Sequence, residues 1–310
     1  MLHDLTVPAE AAGQRLDQWL AAAVPGLTRS QVQKALDEGR AGIEPGKARA
    51  GWPLRGGERA WIELPEVEVL SAEPEDIPLS VLHEDDHLIA IDKPPGMVVH
   101  PAIGHPRGTL VNAVLGRWAV AGGDPARPGI VHRLDADTSG VILVARTVQA
   151  LAFLQEQFRE RRVRKRYLAL VGGNPATDWL KCSEPIGRHP ADIRKRVCGG
   201  REPKEAETSC LVLARRDGWS AWECRPKTGR THQIRVHCAR LGHPILADAL
   251  YGRGPQWPTP GPAQRPVLYR QALHAWSIEI PHPAGGTLAL TAPIPADLAA
   301  VAGELTPKGW

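Results

Sequence analysis

Apolar residues recur at helical spacing in only a few places along the chain. In GQRLDQWLAAAV, Leu16, Trp19, Leu20 and Ala23 fall on one face. TRSQVQKALDEGR then opens on Thr28, suited to cap backbone N–H groups, and closes on Gly39, so a second short helix is predicted. AWIEL, after a Gly-Gly turn, reads as a strand. These pieces predict a small α/β module over 13–66, with 1–12 as an N-terminal tail. EVEVLSAEPEDIPLS is acidic and broken by spaced prolines, and the pattern places a linker at 67–78.

Beyond it the periodicity changes. VLHEDDHLIAIDKPPGMVVHP holds two apolar runs of strand length, broken by HEDD and closed by Pro-Pro-Gly. VQALAFLQEQFRERRV is amphipathic, with Val148, Leu151, Leu154 and Phe158 on one helical face. YLALV, CLVLA and LALTA are short apolar runs separated by Gly, Pro and Asp turns. Strands outnumber helices, so 79–305 is predicted to be an α+β domain on a largely antiparallel sheet. No internal repeat is present.

Composition narrows the class. A chain of 310 residues, 43% hydrophobic, buries a real core, and 31 glycines with 29 prolines stay below the low-complexity range. The net charge of +4 permits a polyanionic partner without demanding one. Five cysteines, an odd number with no C-x-x-C pair, argue against a disulfide framework or zinc ribbon. No 18-residue apolar stretch exists and the amino terminus lacks a signal pattern, so the expectation is a cytoplasmic protein with no membrane contact.

HEDDH at 83–87 spells the H-E-x-x-H of zinc proteases, which needs a helix to bring both histidines to one metal. Its flanks, SVL and LIAI, read as strand, turn, strand, and no third ligand is evident, so no metal is expected. RERRVRKRY gathers Arg159, Arg161, Arg162, Arg164, Lys165 and Arg166 just before Tyr167. It suits either a solvated helix end or phosphate contact with a base stacked on the tyrosine. In RPKTGRTHQIRVHCARLGHP, Lys227, Arg230, Arg235 and Arg240 alternate with Ile234, Val236 and Leu241, as in a half-buried strand facing an anion. His232 and His237 read as hydrogen-bonded structural histidines, and Asp248 as a turn residue. In VHRLDADTSG, Asp137 fits a turn, whereas Asp135 is enclosed by Leu134 and Ala136. A sheltered carboxylate is kept ionised by a neighbouring guanidinium, here Arg133 or Arg230, and then suits nucleophilic attack or proton transfer.

GIVHRLDADTSGVILVAR, preceded by IDKPPGMVVHPAIGHPRGTLVNAVL and followed by TGRTHQIRVHCARLGHPILADALYG and RQALHA, closely resembles the RluA/RluD family of pseudouridine synthases. The resemblance covers nearly the whole chain, and the small module resembles the S4-type RNA-binding domain that many members carry. It implies isomerisation of uridine in RNA without cofactor or metal, by a monomer. Asp135 is then the catalytic aspartate and Arg133 helps hold the target base out of the stack. By the same resemblance Tyr167 packs on the uracil, Arg230 pairs with the catalytic carboxylate and Ile234 lines the uracil pocket. The RNA contacts fall to Arg159–Arg166 and, in the small module, to Arg29 and Lys34. Two departures stand out: GIEPGKARAG replaces the usual V-N-G-K turn, and Ala247 replaces the glycine of G-D-x-x-Y-G, a change the turn is expected to tolerate. The substrate implied is large-subunit (23S) ribosomal RNA. A transfer RNA substrate, or a non-catalytic RNA-binding or ribosome-assembly role, are the alternatives.

Overall fold

The computed structural model describes residues 2–64, 71–102, 104–120, 122–252, 254 and 268–303. Residues 67–70 of the expected linker and 304–305 of the expected catalytic domain lie outside the described residues. The chain divides into two compact units, Met1–Val69 and Leu70–Trp310.

The first unit contains β1 (Leu2–Thr6), α1 (Leu16–Ala23), α2 (Arg29–Asp37), β2 (Ala41–Glu44) and β3 (Arg59–Glu63). Thr28 caps α2: its side chain accepts the Gln31 N–H while Gln31 Oε1 accepts the Thr28 N–H at 2.8 Å. Leu16, Leu20, Val32 and Leu36 bury against Ala60 and Ile62, so the two helices and the AWIEL strand form where the pattern places them. The expected tail is instead structural. Leu2–Thr6 pairs residue for residue with Arg59–Glu63, making β3 the centre of an antiparallel three-stranded sheet. Five residues of an edge strand alternate too briefly to stand out in a sequence.

The second unit runs β4 (Ser80–Glu84), β5 (Leu88–Lys93), α3 (Leu110–Arg117), β6 (Ser139–Ala145), α4 (Val148–Arg159), β7 (Arg164–Gly172) and β8 (Trp179–Cys182). It continues through β9 (Ile186–Arg188), β10 (Arg196–Cys198), β11 (Arg201–Lys204), β12 (Thr208–Arg216), β13 (Trp219–Pro226), α5 (Gln233–Arg240), β14 (Leu273–Pro281), β15 (Thr287–Thr291) and α6 (Ala296–Ala302). β9, β10 and β11 form a small sheet of their own. Among the described residues the main sheet has nine strands in the order β4-β5-β6-β14-β7-β13-β12-β8, with β15 also on β14. Every pairing in it is antiparallel except β6 with β14, where Ser139 and Gly140 meet His274 and Ala275. That junction requires Gly140: its φ is 110°, and a Cβ there would stand 2.2 Å from the Ala275 carbonyl oxygen. α4 covers β5 and β6 through Leu151 and Leu154, α3 covers their other face through Leu110 and Val114, and α5 packs with Leu168 and Trp222. This is the expected α+β class on a mostly antiparallel sheet. Among the described residues no helix is long and apolar enough to cross a membrane.

Three local expectations change. Val148 is 55% exposed; the buried line of α4 is Ala150, Leu151, Leu154 and Gln157, a helical series that begins one step later. The run around QIRVHCAR is helix α5, not a strand. Gln233 through Cys238 are all buried, so neither face is left polar and an apparent alternation carries no period. The described end of the linker belongs to the second unit, because Glu73 O accepts from Asn112 Nδ2 at 2.7 Å and Glu75 N–H donates to Asn112 O at 2.9 Å. Gly116 admits this contact; a Cβ there would lie 2.1 Å from Glu75 O.

Candidate active site

Asp135 lies in the loop between Ile130 and β6, and that loop is fixed from several sides. Leu134 is buried in the core under β5 and β6. His132 stacks on Phe158 at 4.8 Å, and its Nε2 accepts the Leu143 N–H at 3.0 Å; burial pushes its pKa down to about 3, so the ring is the neutral acceptor this bond needs. Lys93 is fully buried, and its Nζ donates to the carbonyls of Ala136 (2.7 Å), Pro94 (2.8 Å) and Met97 (2.9 Å). Desolvation pushes the lysine down to about 7, but three carbonyls each take one N–H, a number only the ammonium supplies. The backbone on the C-terminal side of Asp135 is therefore held from below by a buried cation.

The carboxylate itself is met by Arg235. Arg235 Nη1 donates to Asp135 Oδ2 at 2.9 Å, while Nε and Nη2 donate to Asp248 Oδ2 at 2.7 Å and Oδ1 at 2.9 Å. This is a two-pronged guanidinium–carboxylate pair whose remaining nitrogen is aimed at the Asp135 carboxylate. Asp248 is fully buried; burial pushes its carboxyl up, but Arg235 and the N–H groups of Leu250 and Tyr251 outweigh that and hold it below its usual range. So Asp248 does fix its turn, as expected, and it also orients the arginine. Ala247, just before it, takes the left-handed backbone that the replaced glycine would favour, with φ 56°.

Arg230 was expected to pair with Asp135 and does not. Its Nε donates to the Glu205 carbonyl at 2.9 Å, and it stands in the turn before α5, whereas Arg235 is one helical turn further and faces inward. The signal that singles out Asp135, a charge enclosed by apolar neighbours, also marks Arg235 between Ile234 and Val236.

Around Asp135 opens a cavity of about 540 Å³ lined by Arg133, Phe158, Arg159, Arg161, Lys165, Tyr167, Thr228, Arg230, His232, Ile234 and Arg235, among others. Tyr167 sits on β7 opposite Cys224 and Ala275; burial, then the Asp135 charge, raises its hydroxyl pKa, so it is a neutral aromatic wall. Ile234 is buried at the start of α5 and Arg133 is exposed at the rim.

The basic cluster divides. Lys165 and Tyr167 share one face of β7; Lys165 Nζ donates to Thr228 O at 3.2 Å, and burial lowers it to about 8. Arg161 pairs with Glu205 at 2.7 Å, Arg164 with Glu279 at 3.0 Å, Arg159 with Glu156 and Arg162 with Glu160. Arg166 was expected on the RNA-binding surface but is 3% exposed, 3.9 Å from Glu223, because strand alternation turns it into the protein. Arg161, Arg164, Lys165, Arg225 and Lys227 also line a second groove of about 400 Å³. In the first unit, Arg29 donates to Asp17 at 2.9 Å and Lys34 lies 3.7 Å from Glu38, both on α2.

Three groups of potential metal ligands occur among the described residues: His83, Asp85 and His282; Cys182, Cys198 and His237; Cys210, Cys224 and Cys238. HEDDH is strand, turn, strand, and it enters its cluster through His83 and Asp85, joined by His282 just after β14, whereas His87, the second histidine of the motif, is not a member. The cluster's donor atoms are engaged otherwise. Asp85 Oδ2 meets His83 at 2.6 Å and His282 at 2.9 Å, Asp85 Oδ1 accepts two backbone N–H groups, and His282 Nδ1 accepts the Ala284 N–H. No member of the three groups lines the Asp135 cavity.

Residues 87–240 match the family model described as RNA pseudouridylate synthase. A Xanthomonas campestris protein named ribosomal large subunit pseudouridine synthase D is 43% identical over 302 residues, covering 96% of this chain and 90% of the relative. A Nitrosomonas europaea protein of the same name is 43% identical over 301 residues, covering 96% and 86%. Among solved structures, human RNA pseudouridylate synthase domain containing 1 superposes with a TM-score of 0.56 at 28% identity, over 71% of this chain and 84% of that one.

Proposed function

The chain belongs to the RNA pseudouridylate synthase family, and from that premise we propose that it isomerises a uridine of large-subunit ribosomal RNA, with Asp135 as the acting carboxylate. The reaction breaks the N1–C1′ bond, turns the freed uracil within the site, and forms C5–C1′ while the C5 proton leaves and N1 gains one. It is redox-neutral and calls for no cofactor. The observation that carries the reading is the asymmetry of Asp135: Arg235 donates to Oδ2, whereas Oδ1 stands 3.9 Å from His232 Nε2, and both Asp135 and His232 line the cavity. A carboxylate oriented in this way serves to attack C1′, to abstract a ribose proton or to attack C6.

The cavity has the size of a site for one extruded nucleoside, and extraction from a stacked helix costs a few kcal/mol. Tyr167 and Ile234 give the uracil two apolar walls, and Arg133 at the rim fills the space the base leaves. Arg159, Arg161, Arg164 and Lys165 serve the flanking phosphates, whereas buried Arg166 holds the sheet. The first unit, read as an S4-like module, adds Arg29 and Lys34 as outlying contacts. The names of the relatives favour ribosomal over transfer RNA. The test is Asp135→Asn. It is expected to abolish tritium release from C5-labelled uridine RNA while changing RNA affinity by less than about 1 kcal/mol. Near-normal release would remove Asp135 from the mechanism. Mapping pseudouridine in cells lacking the gene, restored with either form, identifies the RNA; loss confined to transfer RNA would displace the ribosomal assignment.

A further inference from the structure

One side chain beside Asp135 is outside the pairing described so far. His232 directly precedes α5 in left-handed backbone, φ 58°, a conformation that costs a non-glycine residue about 1 kcal/mol or more. In this position its ring lines the cavity, with Nε2 3.9 Å from Asp135 Oδ1, the oxygen that Arg235 leaves free. On the ring's other side Nδ1 is 2.9 Å from the Tyr251 hydroxyl, whose oxygen accepts the Arg196 N–H at 2.7 Å. The arrangement that satisfies each group has Tyr251 donating its proton to Nδ1, which puts the imidazole proton on Nε2. Burial, opposed by the Asp135 charge, holds the ring below its ordinary range, so it is neutral and Nε2–H is its single donor.

A donor and an acceptor 3.9 Å apart are too far for a direct bond, but an oxygen about 2.9 Å from each bridges them. A hydroxyl is the group that fits, since it accepts from the imidazole and donates to the carboxylate. We infer that this hydroxyl is the 2′-OH of the target ribose, and that His232 thereby reads the reacting nucleotide as RNA. The inference rests on the proposed reading of Asp135, with the carboxylate acting at the sugar. An oxygen that attacks C1′ or takes the C2′ proton comes within about 3–3.5 Å of those atoms. O2′, bonded to C2′, then falls beside Oδ1, in the gap that His232 closes. A deoxynucleotide would leave Nε2–H without an acceptor, an unmade bond in a sheltered site.

The test is a cycle of equilibrium affinities in an Asp135→Asn background, which stops turnover. The probe is a ribosomal stem-loop that the wild-type protein pseudouridylates, made with either uridine or 2′-deoxyuridine at the target. With His232 present, the deoxy substitution is expected to weaken binding about three- to tenfold. In His232→Ala the deoxy penalty should fall severalfold, because the hydroxyl then loses its bond from the imidazole and keeps only the one to residue 135. His232→Asn provides a second variant suited to left-handed backbone and too short to reach; it should show the same loss of preference with an unchanged melting temperature. Tyr251→Phe, which frees Nδ1 from its donor, should reduce the preference severalfold. Equal deoxy penalties with and without His232 would overturn the inference while leaving the proposed function standing. A wild-type protein that pseudouridylates no RNA would remove both.

Discussion

Substitution at Arg235 and Arg230 separates the observed pairing from the expected one. Arg235 joins two carboxylates, and Asp248 has no solvent exposure to fall back on. Arg235→Met leaves that buried charge unpaired, a loss of about 3–5 kcal/mol by the usual cost of breaking a buried ion pair. For a unit of this size that corresponds to a melting temperature lower by about 10 °C. Arg235→Lys keeps the charge, but one ammonium cannot make the planar three-bond contact, so Asp135 loses its fixed orientation. A displacement of about 1 Å at a reacting group costs on the order of a hundredfold in rate, and tritium release should fall by that factor with a smaller change in stability. Arg230→Gln removes a half-buried side chain bonded to one backbone carbonyl, so stability should stay within about 0.5 kcal/mol and activity within about tenfold. Urea melts and tritium release on the three variants decide the matter. An inactive Arg230→Gln beside a near-normal Arg235→Lys would refute the reasoning.

Gly140→Ala should destabilise by about 3 kcal/mol or more, since the added methyl meets the Ala275 backbone at the parallel junction; a urea midpoint near wild type would mean that β6 and β14 yield there. Stability should fall on acidification from about pH 6.5. Burial lowers His274 to about 4, so between 6.5 and 4 the unfolded chain binds a proton that the folded chain refuses, worth about 3 kcal/mol over that window, and His132 acts in the same direction. Urea midpoints that stay level from pH 7 to pH 4 would contradict this. Removing residues 1–69 should leave a folded chain with slow activity on a short target fragment and much weaker binding to long structured RNA, because the first unit has its own core and acts through effective concentration. Failure of the truncated chain to fold would show that the two units share stability.

The parts of the fold legible in the sequence are those with a one-sided apolar stripe or an apolar run of strand length closed by a plain turn. α1 and α2 have apolar stripes, α2 with a capping box, and β4 and β5 are apolar runs with a turn between them, although β5 is buried on both faces. α5 reads as a strand in the sequence because almost all of it is buried. Its polar residues are matched by partners that no local pattern shows: Gln233 bonds Glu207 O, Arg235 bonds Asp248, and His237 bonds Thr208 and Glu184. The same cause limited the site. Asp135 stood out because its enclosure is local, whereas its partner was misassigned by five positions, since two arginines of one motif differ only in which way the backbone turns between them. Lys93 and Asp248 serve Asp135 across 42 and 113 residues, distances at which sequence carries no geometry.

The left-handed residues indicate what that geometry costs. His232 and Ala247 are two of the four non-glycine residues described with positive φ, and they stand at the two ends of the Arg235–Asp248 bridge. Each conformation costs about 1–2 kcal/mol for a residue with a Cβ, so the bridge is held between two strained turns. Neither turn is needed to pair an arginine with an aspartate, which a helix and a loop achieve without strain. What both turns add is direction. One sets His232 Nε2 toward Asp135 Oδ1, and the other sets Asp248 so that two of three guanidinium nitrogens are occupied and the third points at Oδ2. The two oxygens of one carboxylate are thereby given different surroundings, Oδ2 bonded to a guanidinium and Oδ1 facing an imidazole across 3.9 Å, and under the proposed function that difference is what sets Asp135 apart from a turn-capping aspartate.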